Sequence, residues 1–116
     1  MRAPLALLLL AVSVAGSLAG EIRNGATMQV KPNSIWFEEA GQLAQWQRRK
    51  KSGGAAAFAS YQEKILSARE AWQFINPVTV RILRHEPAQN RVYVKMKTKG
   101  RMAGTDWFLD PSALRR

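Results

Sequence analysis

Arg91, Tyr93, Lys95 and Lys97 occupy every second position of a segment whose other residues, Val92, Val94 and Met96, are apolar. On a β-strand this spacing puts the cations and the tyrosine on one face and the apolar side chains on the other. Cations set around an aromatic ring suit polyanion recognition: the charges attract and the ring offers a flat contact. Arg81, on a neighbouring alternating segment, and Lys99 and Arg101, just beyond the strand, would extend the patch. The competing reading is that lysine rows keep an exposed sheet edge from pairing with other chains. Phe108 enters for a different reason. If Trp107 and Leu109 point inward, alternation leaves Phe108 outside, where an exposed phenylalanine suggests a partner surface.

Groups suited to catalysis are sparse. The sequence has no cysteine, and His85 is its only histidine, beside Glu86 and Pro87 with no second histidine to share a metal. No serine stands in a nucleophile-elbow pattern. Glu38 and Glu39 are accounted for by the start of a helix, through capping and the favourable placement of negative charge there. Asp106 and Asp110 would share a strand face about 13 Å apart at about 3.3 Å per residue, which exceeds the separations of about 5 to 9.5 Å that glycosidases use. Gly100 and Gly104 lack the following Lys and Ser or Thr of a phosphate-binding loop and read as turn residues. A protein that is not an enzyme, with no catalytic residues, no cofactor and no bound metal, is the expectation; an unrecognised hydrolase is the lesser alternative.

The elements that would position these residues follow from periodicity. Asn24-Gly25 and Lys31-Pro32-Asn33 are turn signals, and Ala26 to Val30 and Ser34 to Phe37 between and after them read as one or two strands ending at Glu38. Ala40, Leu43, Trp46 and Gln47 then follow helical spacing, up to a stop made of Arg48-Arg49-Lys50-Lys51 and Gly53-Gly54. Those basic residues have a structural explanation as the last turn of a helix. Phe58, Tyr61, Ile65, Ala68 and Trp72 draw an apolar stripe that predicts a second helix from about Ala55 to Phe74, the two forming a hairpin over residues 38–74. Asn76-Pro77 closes the helical region. A β meander over residues 78–110 follows: Val78 to Leu83, Arg91 to Thr98, and Thr105 to Leu109, with a short helical turn at Ser112 to Leu114.

Met1 to Ala19 reads as an export signal: Arg2, an apolar run from Leu5 to Val14, and Ser17-Leu18-Ala19 before a cut that would leave Gly20 first. The run is shorter than the roughly 20 apolar residues of a membrane span, so a cleaved leader and a soluble mature protein with no stable transmembrane segment are expected. The remainder is the size of one domain. Without disulfides its stability must come from packing, which the tryptophans at 36, 46, 72 and 107 can supply. Absence of cysteine suits a bacterial periplasmic or secreted protein. A formal net charge of +10 points to the anionic polymers and lipid headgroups outside the cytoplasm, although solubility alone also accounts for such a charge.

Val78-Thr79-Val80-Arg81-Ile82-Leu83, then Val92-Tyr93-Val94-Lys95-Met96, a glycine-bearing loop and Gly104-Thr105-Asp106-Trp107-Phe108-Leu109 are similar to the meander of bacterial SH3-like barrels, where a glycine and an aromatic mark a late strand. The resemblance implies a small antiparallel sheet or barrel completed by the β segment before Glu38, with the helical hairpin as an insertion that a plain SH3-like domain lacks. It also implies a binding module, often for peptides or cell-wall stems in exported bacterial versions. It assigns no ligand-binding residue. The expectation is therefore an α+β protein that binds an anionic envelope component or a protein partner through its basic β face, with Arg91, Tyr93, Lys95, Lys97, Arg101 and Phe108 as candidate binding residues. The alternative is an accessory subunit of an envelope complex, joined through Phe108 and one side of the hairpin.

Overall fold

Valines and isoleucines at alternate positions build the principal sheet. The structure is a computed structural model that describes residues 21–116; the predicted leader, Met1 to Ala19, lies outside the described residues. Strand β1 is Thr27–Val30, β2 Ser34–Trp36, β3 Trp72–Phe74, β4 Val78–Glu86, β5 Arg91–Met96 and β6 Asp106–Leu109, with helices α1 (Ala40–Ser52) and α2 (Gly54–Ser67) between β2 and β3. The fold is α+β. Four strands form an antiparallel sheet in the order β1-β4-β5-β6, and β2 pairs with β3 in a second, two-stranded sheet.

One backbone bridge joins the two sheets, and a second ties the end of the chain to β1. Phe37 exchanges both hydrogen bonds with Phe108, at 3.1 and 2.7 Å, tying the end of β2 to β6. At the other side Leu114 bridges Val30, flanked by Lys31 N–H to Ala113 O (2.8 Å) and Arg115 N–H to Gln29 O (2.8 Å). The chain after β6 thus returns to β1 through the 3-10 turn Pro111–Ala113, as the short helical turn expected there foreshadows. A 3-10 turn, Pro87–Gln89, also joins β4 to β5, ending on Asn90 at φ 53°.

The expected alternation holds. Val78, Val80 and Ile82 of β4, Val92, Val94 and Met96 of β5, and Trp107 and Leu109 of β6 are all buried in one cluster with Val30, Trp36 and Leu114. A second cluster, built on Ile35, Phe37, Leu43, Trp46, Ile65 and Ala71, joins the helical hairpin to the sheet. Consecutive residues of β2 and its extension serve the two clusters in turn, because successive side chains of an extended chain point to opposite sides.

Three local expectations need correction. The second helix ends at Ser67, not at Phe74. Arg69 N–H bonds to Leu66 O (3.2 Å) and Glu70 N–H to Ile65 O (2.9 Å), with Arg69 at φ 61°: the paired closing bonds of a Schellman stop with arginine where glycine is usual. Trp72 and Phe74 are then strand residues, facing Trp36 and Ser34 across the β2–β3 pair, and Ala68 of the predicted stripe is exposed. Glu39 is the N-cap residue of α1 but makes no side-chain capping bond. Asp110 falls outside β6, so it does not share a strand face with Asp106.

Candidate functional site

The outer face of β4, β5 and β6 carries the predicted basic patch, and its register explains how much of it remains available. A bulge between Ile82 and Arg84 shifts β4, so that Arg84 and Glu86 lie opposite Tyr93 and Arg91 while Arg81 lies opposite Lys95. Tyr93 in turn lies opposite Phe108, and Lys95 opposite Asp106. Across antiparallel strands such opposed pairs are the contacts that form.

Arg91, Tyr93, Lys95 and Phe108 are consequently drawn into a stacked, self-neutralising group. The Arg84 guanidinium lies 4.7 Å from the Tyr93 ring centroid and that of Arg91 5.6 Å from Phe108, while the Tyr93 and Phe108 rings are 4.5 Å apart. Glu86 accepts from Arg91 at 2.6 Å and from Arg84 at 3.4 Å. The hydrogen bond from Arg91 is the main reason its carboxyl sits below the ordinary range, with smaller contributions from the Arg91 charge and from Arg84. Lys95 Nζ donates to Asp106 at 2.8 Å and to the Gly104 carbonyl at 3.2 Å. Phe108 is half-buried, packed on the hairpin cluster; the expectation that it stands exposed is corrected.

Lys97 and Arg101 are placed differently. Both are exposed, as are Lys99 and Arg81, and among the described residues none of the four is in an ion pair. Lys97 follows β5, held by its N–H bond to Thr79 O (2.8 Å). Lys99 and Arg101 lie in the β5–β6 loop, where they line a cleft of about 250 Å³ shared with the β3–β4 connection. Ile75 in that connection is 71% exposed, the one large hydrophobic side chain so exposed among the described residues. Sequence reasoning passes over Ile75, which lies between the expected helix end at Phe74 and the Asn76-Pro77 stop. The signal that could have found it is Asn76-Pro77, which forces a turn directly after it.

Two of the helix-end cations, Arg49 and Lys50, lie against aromatic rings. Arg49 lies 4.8 Å from the Tyr61 ring centroid and Lys50 5.0 Å from that of Trp46, a favourable use of charge against an aromatic face. Burial raises the pKa of Tyr61, against the opposing charge of Arg49. His85 lies within β4, opposite Val92. Among the described residues no three His, Cys, Asp or Glu side chains come together as a metal site would need.

Asp110 is the joint between hairpin and sheet. Gln47 of α1 donates to Asp110 Oδ1 and to the Asn90 carbonyl, both at 2.7 Å. Asp110 Oδ2 accepts the Ser112 N–H at 3.0 Å and also its hydroxyl. Burial pushes this carboxyl up, but the bonds from Ser112 and Gln47 and the Lys50 charge outweigh it, and its pKa lies below the ordinary value. With the folded pKa below the unfolded value of about 3.9, the stabilisation is complete above that value and is lost as pH falls through the folded pKa. Asp110→Ala should lower neutral-pH stability by about 1.5 to 3 kcal/mol and flatten the decline of stability in acid. Urea titrations across the acid range check this, and a variant as stable as the parent at neutral pH would refute it.

Comparison with protein-family models, with curated proteins and with solved structures gives no match.

Proposed function

We propose that this chain is an exported, non-enzymatic binding module, its barrel of the SH3-like type, which contacts an anionic component of the bacterial envelope through the cations at one end of its principal sheet. One observation carries the reading: Lys97, Lys99 and Arg101 are exposed and free of carboxylate partners beside an open cleft, whereas Arg84, Arg91 and Lys95 of the same sheet are tied to Glu86 and Asp106. Unpaired cations attract a polyanion at full strength; paired ones must first give up a partner. The binding residues are thus Lys97 and Arg101 of the predicted set, joined by Lys99, with Arg91, Tyr93, Lys95 and Phe108 forming the rigid support behind them. Support for the SH3-like reading comes from the β4-β5-β6 meander and from the two bridges that set the end of β2 against β6 and the returning chain against β1. Support for export comes from the leader sequence alone.

A dextran sulfate column tests the reading. The triple substitution Lys97→Gln, Lys99→Gln and Arg101→Gln should release the protein at markedly lower salt. Arg48→Gln, Lys51→Gln and Arg116→Gln, which remove equal charge from exposed positions elsewhere, should elute close to the parent. Equal losses from both triples would show that retention reports net charge and not a site.

A further inference from the structure

The cleft at the loop end of the sheet combines two chemistries that rarely occur together on a free surface. Phe74, Val78, Met96 and Met102 give it an aliphatic and aromatic lining, with Ile75 standing at its edge. Lys99 and Arg101 line the same cleft, and Lys97 precedes them. From residue 87 to residue 105 the sequence contains no Asp or Glu, so nothing in the loop counters the charge.

The loop is also held in shape. Gly104 N–H bonds to Met96 O (2.8 Å) and Ala103 N–H to Gly100 O (3.2 Å), while the Thr105 hydroxyl donates to Met102 O at 2.6 Å. Gly100 and Gly104, at φ 142° and 87°, supply the backbone turns that residues with side chains resist. On the facing connection, Pro77 fixes the chain after Asn76, leaving Ile75 projecting between β3 and β4. The arrangement therefore exists before any ligand arrives.

We propose that this end of the molecule docks on an anionic lipid bilayer, with Ile75 entering the boundary between headgroups and acyl chains and Lys97, Lys99 and Arg101 meeting the lipid phosphates. The inference rests on the reading that these three cations are the binding surface and deepens it by naming the ligand chemistry. An exposed aliphatic side chain with cations on the facing loop matches the layered order of a bilayer surface, apolar beneath and anionic above. A single-stranded nucleic acid would look for an accessible ring to stack on, whereas Phe74, the one ring in the cleft lining, is packed edge-on against Trp36 and Trp107 at 4.9 and 5.9 Å. No described helix is long and apolar enough to cross a membrane, and attachment of this kind needs none.

Co-sedimentation of the purified protein, in the form the cell exports, with vesicles of mixed phosphatidylglycerol and phosphatidylcholine or of phosphatidylcholine alone tests the proposal. Binding is expected to the first and not to the second. Ile75→Ser should weaken partition about fivefold to tenfold, with no effect on retention by dextran sulfate. The Lys97, Lys99 and Arg101 to glutamine triple should weaken partition about a hundredfold, at about fivefold per cation, and should lose the column as well. Equal binding to both vesicle types, or to neither, overturns the lipid proposal. So does unchanged partition of Ile75→Ser; if the triple still loses the column in that case, the envelope-polyanion reading stands without the lipid. A triple that keeps both vesicles and column overturns both.

Discussion

Trp36→Ala should remove about 3 to 5 kcal/mol of folding free energy, the range for deleting a buried large aromatic, from a total of about 5 to 15 kcal/mol for a domain. Trp36 is fully buried and belongs to an edge-to-face array: Phe74 lies at 4.9 Å and Trp107 at 5.9 Å, with Trp107 in turn 6.4 Å from Trp72. Its indole N–H donates to Ser34 Oγ at 2.7 Å, so truncation also strands a buried hydroxyl. A domain with no cysteine has no covalent link to hold the pieces in place. A fall in Tm of about 12 °C or more is expected, at about 4 °C or more per kcal/mol for a domain of this size. Circular dichroism melts of the parent, Trp36→Phe and Trp36→Ala should give that order. An alanine variant melting within a few degrees of the parent would show that the array does not anchor the sheet.

The same array shows why part of the fold is legible in the sequence and part is not. The meander announces itself because each strand carries its own alternation, and alternation is a local property: Val92, Val94 and Met96 are buried whichever strands flank them. The first helix is equally local, with Leu43 and Trp46 buried on one face. Trp72 and Phe74 mislead because spacing from Ile65 and Ala68 continues a helical stripe while spacing from each other fits a strand. The decision is made by β2, nearly forty residues earlier, whose backbone they pair with. A distant partner outweighs local period here, and arginine at φ 61° is accepted at the helix stop so that β3 can form.

The candidate site divides along the same line. Residue types located the basic strand, and its inward and outward faces follow from the alternation. Which cations are spent depended on register. The bulge at Ile82/Arg84 sets Glu86 against Arg91, and β6 sets Asp106 against Lys95; neither pairing leaves a trace in the spacing of either segment alone. Alternation puts Phe108 on the outer face of β6, but the hairpin cluster it packs on is built partly from residues 40–67. Lys97 and Arg101 remain free because the β5–β6 loop carries no acid, which the sequence does display.

Phe37→Ala, one residue on from Trp36, should cost a similar amount, about 3 to 5 kcal/mol, but in a different part of the molecule. Phe37 is fully buried, yet its side chain belongs to the hairpin cluster, with the Trp46 ring 5.7 Å away. Its backbone bonds to Phe108 survive truncation, so the bridge from β2 to β6 persists while the seat of α1 and α2 is hollowed out. Trp46 would keep Phe58 as a ring partner at 5.5 Å, and Gln47 would keep its bonds to Asp110 and Asn90, leaving the hairpin held by that polar joint and by a cluster reduced to Ile35, Ala71 and Phe108 on the sheet side. Native-state hydrogen exchange reads the difference, because local opening need not follow the global transition. Amides of α1 and α2 should exchange on the order of a hundredfold faster in Phe37→Ala, because opening of the hairpin alone already gives up the contacts of that cluster, and those of β4 and β5, which open with the whole domain, should quicken as well. In Trp36→Ala the acceleration should fall on β4 and β5, while α1 and α2, whose local opening keeps the sheet cluster intact, stay close to the parent's protection. Identical exchange patterns in the two variants would mean that both clusters open as one unit, and that the alternation of side chains at Trp36 and Phe37 divides the core in space but not in stability.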